Sequence, residues 1–229
     1  MRFPDCKIHH MPQRSETWYD IRKGKLTGSQ MGAWLADRKQ TTKTFAKARA
    51  KATAKIIGQL SSCEVPDEWE VDPDGPPPKS IGLWAIWNGI NQEPKAVAAF
   101  EFATGLEVEE VGFCEHSSGV IGVSPDGLIR GQNVGFEGKA PIPTTHVEYL
   151  LNGTLPETYK AQVHGCMAAT GADAWWFQSY CPGLPAFRIL VERDEFTEQM
   201  VAGMNEFGDY LRAETLRIIS LIPEGGEND

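Results

Sequence analysis

Residues 124–140 read SPDGLIRGQNVGFEGKA, two short apolar runs broken by glycines. This pattern predicts two β-strands that turn back on one another. Alternate side chains of a strand share a face, so Glu137 and Lys139 are expected to point the same way, separated only by the backbone of Gly138. Asp126 is placed at the end of the preceding strand, where the following glycine permits a tight turn. The hairpin therefore brings Asp126 against Glu137 and Lys139.

This trio has a chemical interpretation. Two carboxylates in close approach raise each other's pKa unless a cation joins them, and oxygen ligands of this kind suit Mg²⁺ or Mn²⁺. Such an ion could bridge a phosphate oxygen and a water, while Lys139 lowers the pKa of that water or neutralises transition-state charge. Each residue alone has an ordinary reading, since Pro-Asp-Gly is common turn chemistry and Glu137 could pair with Lys139 on a surface strand.

Length and composition indicate one domain. The 229 residues are 41% hydrophobic, enough to bury a core, and we expect a single domain over 1–229. Residues 61–80 are acidic, proline-rich and aperiodic, which predicts a mobile excursion or lid within it. No run approaches the roughly 20 uncharged residues that span a bilayer, so we expect a cytosolic protein with no membrane partner.

Charge is divided unevenly along the chain. Residues 1–60 contain 13 Lys or Arg and 4 Asp or Glu, a net charge of +9, whereas the remaining 169 residues contain 9 and 27, a net charge of −18. An N-terminal part that faces phosphates, with an acidic surface and a carboxylate site elsewhere, would produce this division. A lopsided surface without function would produce it equally well, so charge alone leaves both interpretations open.

Residues 41–60, TTKTFAKARAKATAKIIGQL, are rich in alanine and opened by threonines, which predicts a helix. Lysine recurs at every fourth position within it. At about 1.5 Å rise per residue, this spacing gives one cationic stripe with charges roughly 6 Å apart. The stripe suits a DNA backbone, although a solvated lysine face has the same pattern. Its members are Lys43, Lys47, Lys51 and Lys55.

The remaining pattern predicts helices and strands from both ends of the chain. Further helices are expected over 18–25, 81–104, 144–152, 156–170 and 194–219, with Ser29 near the N-cap of a helix that follows it. Strands are expected over 174–181 and 186–193. Three runs rich in Val, Ile and Phe predict an antiparallel meander, over 106–116, 118–131 and 133–142. The fold class is therefore α+β, with a mixed central sheet flanked by helices.

Four separated segments resemble one nuclease family. Asp126 after Pro125, followed by Glu137-x-Lys139, is similar to the active-site motif of the PD-(D/E)XK nuclease superfamily. The strings WYDIRKGKLTGSQ, EPKAVAAFEFATG, SPDG and YKAQVHGCM resemble its lambda exonuclease branch, the YqaJ-type viral recombinase family. The resemblance covers about 18–193, and it is specific because the segments agree in order and approximate spacing.

The resemblance implies a restriction-endonuclease-like core and an alkaline exonuclease that uses two Mg²⁺ ions, with Mn²⁺ as a substitute. Such an enzyme digests one strand of linear double-stranded DNA processively from a 5′-phosphorylated end, releasing mononucleotides and leaving a 3′ overhang. The resemblance further implies a homotrimer ring threaded by DNA and a phage single-strand annealing protein as partner. It also implies a phage or prophage source and action in the bacterial host cytoplasm.

Carried over to this chain, the family motif assigns Asp126 and Glu137 as metal ligands, with the backbone carbonyl of Gly138 completing the shell. Lys139 would act on the nucleophilic water. Glu93 matches the upstream acidic position and would help to hold the second ion.

Four further positions match the family. Gln162 matches a polar residue that touches the scissile centre or its water. A guanidinium with two hydroxyls suits a 5′ phosphate, and the matching residues are Arg22, Ser29 and Ser124. The chain departs from the motif at Gly138, where a bulky apolar residue is usual, and a glycine there loosens the strand.

Two other functions stay open at this point. A PD-(D/E)XK endonuclease of repair or restriction type would carry the same motif, but a terminal-phosphate pocket with Arg22 and Ser29 disfavours it. A catalytically inactive DNA-end-binding protein would use the same basic helix, but it would not need Asp126, Glu137 and Lys139 intact.

Overall fold

The computed structural model describes residues 2–31, 43–60 and 71–221. Its helices are α1 (Glu16–Arg22), α2 (Lys43–Gly58), α3 (Ile81–Thr104), α4 (Pro143–Asn152), α5 (Glu157–Thr170) and α6 (Glu195–Ile219). Its strands are β1 (Cys6–His9), β2 (Leu26–Thr27), β3 (Val108–Glu109), β4 (Phe113–His116), β5 (Ile121–Val123), β6 (Gly127–Ile129), β7 (Val134–Lys139), β8 (Ala174–Ser179) and β9 (Phe187–Glu192). The predicted α+β class is confirmed.

A mixed five-stranded sheet, in the order β3-β6-β7-β8-β9, carries the decisive stretch of sequence. Strands β6 and β7 form an antiparallel hairpin in which Gly127 lies opposite Phe136. Strand β8 runs parallel to β7, because α4 and α5 intervene and return the chain to the same end of the sheet. Strand β9 then pairs antiparallel with β8 and forms the edge.

The predicted single meander over 106–142 is wrong, because its strands belong to two sheets. Strands β4 and β5 lie in a second, four-stranded sheet of order β1-β4-β5-β2, whereas β3, β6 and β7 lie in the first. The chain leaves one sheet for the other between Val123 and Gly127. Pro125 lies in this gap and cannot donate a hydrogen bond to a strand ladder, which favours the break there.

The second sheet also contains two strands that the sequence did not predict. Strand β1 pairs antiparallel with β4, and the two-residue strand β2 pairs in parallel with β5. Helix α1 ends at Arg22 and not at residue 25 as predicted. Thr27 is the N-cap of the short 3-10 helix Gly28–Gln30 that follows β2, and the helix predicted after Ser29 extends into 32–42, outside the described residues.

Helix α5 lies at the centre of the structure, packed against strands of both sheets and against α6. All of its residues from Val163 to Thr170 are buried. The larger core cluster includes Trp175 and Phe177 of β8 together with Met200 and Phe207 of α6. A second, smaller cluster joins α3 to the β6–β7 hairpin and consists of Phe100, Ile129 and Phe136.

Helix α3 ends as predicted at Gly105, whose φ of 68° suits a glycine C-cap. Its N-terminal half is tied to the excursion predicted over 61–80, since Trp87 Nε1 donates to the carbonyl of Gly75 (3.1 Å) and Asn91 Nδ2 to that of Pro73 (3.1 Å). The first part of that excursion, 61–70, lies outside the described residues.

The predicted lysine helix is present as α2, and its Lys51 and Lys55 side chains are exposed. The side chains of the other two members of the stripe, Lys43 and Lys47, lie outside the described residues. Over the described ranges of the chain, no helix has the length and apolarity needed to cross a membrane.

Candidate active site

The β6–β7 hairpin brings Asp126 against β7. Asp126 immediately precedes β6, and its Oδ2 accepts a hydrogen bond of 2.7 Å from the backbone N–H of Gly138. The tight turn predicted at Gly127 is wrong, because Gly127 is already paired with Phe136 and the chain reverses over 130–133. The predicted convergence of Asp126 with the Glu137–Lys139 segment is nevertheless present.

Glu137 and Lys139 share one face of β7, as the strand period requires. The Lys139 ammonium donates a hydrogen bond to Glu137 Oε1 and lies 5.5 Å from the centre of the Tyr159 ring. Gln162, on α5, donates from Nε2 to the same Glu137 oxygen at 2.7 Å. Glu137 is only 2% exposed, so the packing of α5 against the sheet fixes its carboxylate in place.

Glu93 joins the group from α3. It is the residue before Pro94, which lacks an N–H and so interrupts the helix hydrogen bonds one residue beyond Glu93. Its Oε2 lies 3.5 Å from Arg14 Nη2, a residue of the loop between β1 and α1. Glu93 is also close enough to Asp126 for the two charges to interact. The structure thus places the upstream acidic residue within electrostatic range of Asp126.

The carboxylates are held in an environment that disfavours their charge. Burial raises the pKa of Asp126 above its ordinary value, although the Lys139 ammonium and the Gly138 N–H oppose this shift. Burial and the nearby Asp126 raise the pKa of Glu137 to about 7, and the same two causes raise the pKa of Glu93. Burial alone would lower the pKa of Lys139, but Glu137 and Asp126 outweigh it, so this pKa lies above its ordinary value. The lysine is therefore an ammonium ion.

One buried atom tests whether these residues fit a divalent ion. Oε2 of Glu137 is buried and has no hydrogen-bond partner, a costly arrangement for a carboxylate oxygen. A hard cation would supply the missing partner and would relieve the repulsion between Glu137 and Asp126. Within the described part of the chain, no three His, Cys, Asp or Glu side chains already converge as a ready-made metal cage. The unpartnered oxygen and the oxygen-rich donors therefore fit a divalent ion, which Asp126 and Glu137 would hold.

A second polar cluster lies two residues upstream of Asp126. Arg22 Nη1 donates to Ser124 Oγ at 2.7 Å, and Trp18 Nε1 donates to the same oxygen at 3.0 Å. The Arg22 guanidinium stacks over the Trp18 ring at 4.0 Å. The structure therefore brings together two of the three residues predicted for a 5′ phosphate. The third, Ser29, lies in the 3-10 helix after β2, and its side chain lies outside the described residues.

Three side chains at these clusters were missed by the sequence reasoning. Trp18 holds both Arg22 and Ser124, Tyr159 faces the Lys139 ammonium, and Arg14 contacts Glu93. Tyr159 lies three residues before Gln162, so helical spacing could have placed it on the same face of α5. No local pattern could have found Arg14, because its partner is far away in sequence.

Comparison with known proteins gives a consistent family and fold. The family model described as YqaJ-like viral recombinase domain matches residues 17–173. An alkaline exonuclease from Laribacter hongkongensis, LHK-Exo, is 28% identical with a TM-score of 0.66, over 90% of this chain and 100% of that one. LHK-Exo in complex with dAMP aligns at 26% identity and a TM-score of 0.65, with the same coverage of both chains.

A phage related exonuclease from Haemophilus somnus 129PT shares the fold at 12% identity and a TM-score of 0.53, over 83% of this chain and 96% of that one. No curated protein matched the sequence. The sheets and flanking helices of this chain are therefore those of the alkaline exonuclease fold, as the PD-(D/E)XK-like prediction required.

The raised pKa of Glu137 predicts pH-dependent cation binding. A proton and a divalent ion compete for this carboxylate, and the proton leaves as the pH rises through about 7. We expect the affinity for Mn²⁺ to increase roughly tenfold between pH 6 and pH 8.5, which is the gain in ionised Glu137 over that interval. Titration of the protein with Mn²⁺, followed by electron paramagnetic resonance, measures this affinity.

Two variants serve as controls for this titration. Glu137→Gln should lose both the affinity and its pH dependence, whereas Glu192→Gln, at an exposed position of the edge strand β9, should behave like the wild type. An affinity for Mn²⁺ that does not change between pH 6 and pH 8.5 would contradict the assignment of Glu137 as a ligand.

Proposed function

Since this chain belongs to the YqaJ-like viral recombinase domain family, we propose that it is a DNA exonuclease. It digests one strand of linear duplex DNA processively from a 5′-phosphorylated end, releases mononucleotides and leaves a 3′ overhang. Two Mg²⁺ ions support the reaction, and Mn²⁺ substitutes for them. The relative LHK-Exo forms a complex with dAMP, a mononucleotide, which supports this choice of product.

One observation carries the proposal. One carboxylate oxygen of Glu137 is buried without a hydrogen-bond partner. Asp126 is held against the backbone of β7, the strand that carries Glu137, and the Lys139 ammonium interacts with both carboxylates. Acidic oxygens and a fixed cation in this arrangement suit the hydrolysis of a phosphodiester, in which negative charge accumulates on phosphate oxygens.

The acidic residues act as ligands in this proposal. Asp126 and Glu137 hold divalent ions through their carboxylates, Glu93 contributes to the second ion, and the carbonyl of Gly138 completes the set. A bound ion would polarise the scissile phosphate and lower the pKa of a bound water. The backbone N–H of Gly138 keeps the Asp126 carboxylate oriented for ion binding, because this N–H donates a 2.7 Å hydrogen bond to Asp126 Oδ2.

Lys139 and Gln162 act on the attacking water. Hydrolysis joins the water oxygen to phosphorus, breaks the bond from phosphorus to the 3′ oxygen, and delivers a proton to that leaving oxygen. Because the pKa of Lys139 is raised, its ammonium stabilises the attacking hydroxide and the developing charge and does not remove a proton. Gln162 orients Glu137 through its 2.7 Å hydrogen bond, and in this proposal its side chain also contacts the attacking water.

Arg22 and Ser124, together with Ser29 as the family match implies, bind the terminal 5′ phosphate in this scheme. A guanidinium can hold a phosphate through two nitrogens, and stacking on Trp18 preorganises Arg22 for that contact. Cleavage at the 3′ oxygen leaves a new 5′ phosphate on the shortened strand. Each turnover therefore regenerates the group that this cluster recognises, which favours repeated digestion of the same strand.

Further parts of the proposal rest on the family. They are a homotrimer ring threaded by DNA, a phage single-strand annealing protein as partner, and action in the bacterial host cytoplasm for a phage or prophage. The lysine stripe would lie along the entering DNA backbone, and exposure of Lys51 and Lys55 on α2 supports this placement.

An assay of four DNA forms tests the function. With Mg²⁺, we expect mononucleotides from linear duplex carrying 5′ phosphates, slower release from 5′-hydroxyl ends, and no cutting of closed circles. EDTA should stop digestion because the acidic residues then lack an ion. A nicked circle reports whether internal ends are used. Cutting of closed circles would indicate an endonuclease, and binding without digestion would indicate an inactive end-binding protein.

Replacement of Arg22 tests the preference for 5′-phosphorylated DNA ends. Arg22→Ala should lower the rate on phosphorylated ends at least about tenfold, the typical effect of losing a charge-assisted contact, and so bring that rate close to the rate on hydroxyl ends. Lys23→Ala is the matched control, since Lys23 is the next residue, is exposed and pairs with Asp20. An undiminished preference for phosphorylated ends in Arg22→Ala would contradict the pocket.

Replacement of Lys139 distinguishes its effect on turnover from any effect on ion binding. Lys139→Ala should lower kcat by about 10²-fold or more, because a fixed cation beside the reacting phosphate is lost, while Mn²⁺ binding persists. Initial rates on linear duplex and a Mn²⁺ titration measure the two quantities. Lys7→Ala, an exposed lysine on strand β1, controls for loss of one positive charge. Full activity of Lys139→Ala would overturn the role given to the ammonium.

A further inference from the structure

Arg14 lies in the loop between β1 and α1, before the span that the family model matches, which begins at residue 17. Its backbone has a φ of +66°, in the left-handed region that residues other than glycine rarely adopt. A side chain persists in such a conformation only where its surroundings impose it, and such residues concentrate at ligand and active sites. The hydrogen bonds of the residues on either side of Arg14 show what imposes this conformation.

Both neighbours of Arg14 are fixed by hydrogen bonds. On one side, Gln13 Nε2 donates to the carbonyls of Val111 (3.1 Å) and Pro125 (2.8 Å), which ties the loop to the residue before Asp126. On the other side, Ser15 Oγ donates to the carbonyl of Pro12 (2.7 Å) and accepts from the N–H of Trp18 as the N-cap of α1. The loop is thus built onto the active-site backbone, and this attachment holds the unusual φ of Arg14.

The guanidinium of Arg14 reaches the edge of the acidic group. Its Nη2 lies 3.5 Å from Glu93 Oε2, and its positive charge offsets a small part of the rise in the pKa of Asp126 that burial causes. The Arg14 side chain is 47% exposed and Glu93 is 35% exposed, so solvent reaches both. Lys139, by contrast, is committed to the buried Glu137 and is 27% exposed. Of these two cations beside the acidic residues, Arg14 is therefore the more accessible to a phosphate from solvent.

The Glu93 contact is a poor final arrangement for this arginine. A guanidinium has five N–H donors in a plane, and the 3.5 Å between Arg14 Nη2 and Glu93 Oε2 is longer than a normal charged hydrogen bond. A phosphate can take two of these donors at once. An ion that binds Glu93 would also compete with the arginine for the carboxylate and leave the guanidinium available to an anion.

The geometry points to Arg14 as a phosphate-binding residue: its guanidinium contacts Glu93 in the free protein and transfers to a DNA phosphate beside the scissile bond when substrate enters. This inference rests on the proposed nuclease function. Hydrogen bonds of Gln13 and Ser15 fix the backbone of the loop around Arg14, so the change of partner requires movement of the Arg14 side chain only. The phosphate it binds is distinct from the terminal phosphate assigned to the Arg22 cluster.

Arg14→Gly is the most informative variant. Glycine adopts a φ of +66° without steric cost, so the loop should keep its conformation and the variant should unfold at the wild-type temperature or above it. Arg14→Lys keeps the charge but not the planar pair of donors. Arg217→Ala is the matched control, because Arg217 is exposed on α6 and is paired with Glu214 at 2.8 Å, as Arg14 is paired with Glu93.

The experiment measures the affinity for linear 5′-phosphorylated duplex at several salt concentrations, with Ca²⁺ in place of Mg²⁺ and intact DNA verified on a gel. Arg14→Gly should bind about tenfold more weakly than the wild type, with the slope of log affinity against log salt smaller by about 0.9, because one phosphate contact is lost. Arg14→Lys should keep the slope and recover part of the affinity, and Arg217→Ala should match the wild type.

A second measurement separates this role from support of a metal ligand. Without DNA, Arg14→Gly should bind Mn²⁺ as tightly as the wild type or more tightly, because a cation that competes for Glu93 is gone. Weaker Mn²⁺ binding with an unchanged salt slope would overturn the inference and make Arg14 a positioning residue for Glu93. Wild-type protein that neither binds nor digests linear duplex would instead overturn the nuclease function, whatever the variants do.

Discussion

The hydrogen bond from the Gly138 N–H to Asp126 Oδ2 is the contact on which the site depends. It joins the chain segment that crosses between the two sheets to the strand that carries Glu137 and Lys139. It holds the aspartate beside a buried glutamate, and placing two acids together has an electrostatic cost that the surrounding groups must offset.

In the described structure, the negative charge of the two acids is only partly compensated. Lys139 neutralises part of the charge and Gln162 donates to one glutamate oxygen, but the second oxygen of Glu137 stays buried without a partner. Burial and mutual repulsion raise the pKa values of Asp126 and Glu137. Such unfavourable placement is typical of functional sites, because a divalent ion or an anionic substrate with its cation can relieve it. The unsatisfied oxygen is therefore consistent with a site that binds a cation.

The sequence predicted much of this arrangement and missed what long-range contacts decide. The period of a strand places Glu137 and Lys139 on one face, and capping chemistry ends α3 at Gly105. Periodicity does not say which sheet a strand joins, so the predicted meander was wrong where the chain changes sheets near Pro125. Both Asp126-Gly127 and the segment 130–133 carry turn chemistry, and only strand pairing chooses between them. Arg14 reaches Glu93 through tertiary structure alone.

The most direct test is a crystal structure of the wild-type protein grown with Mn²⁺ above pH 8, with data collected near the manganese absorption edge. We expect an anomalous peak bonded to the carboxylates of Asp126 and Glu137, with Oε2 of Glu137 as one of the ligands. A fully occupied manganese bound elsewhere on the chain, with the two carboxylates still held by Gly138, Lys139 and Gln162 alone, would contradict it.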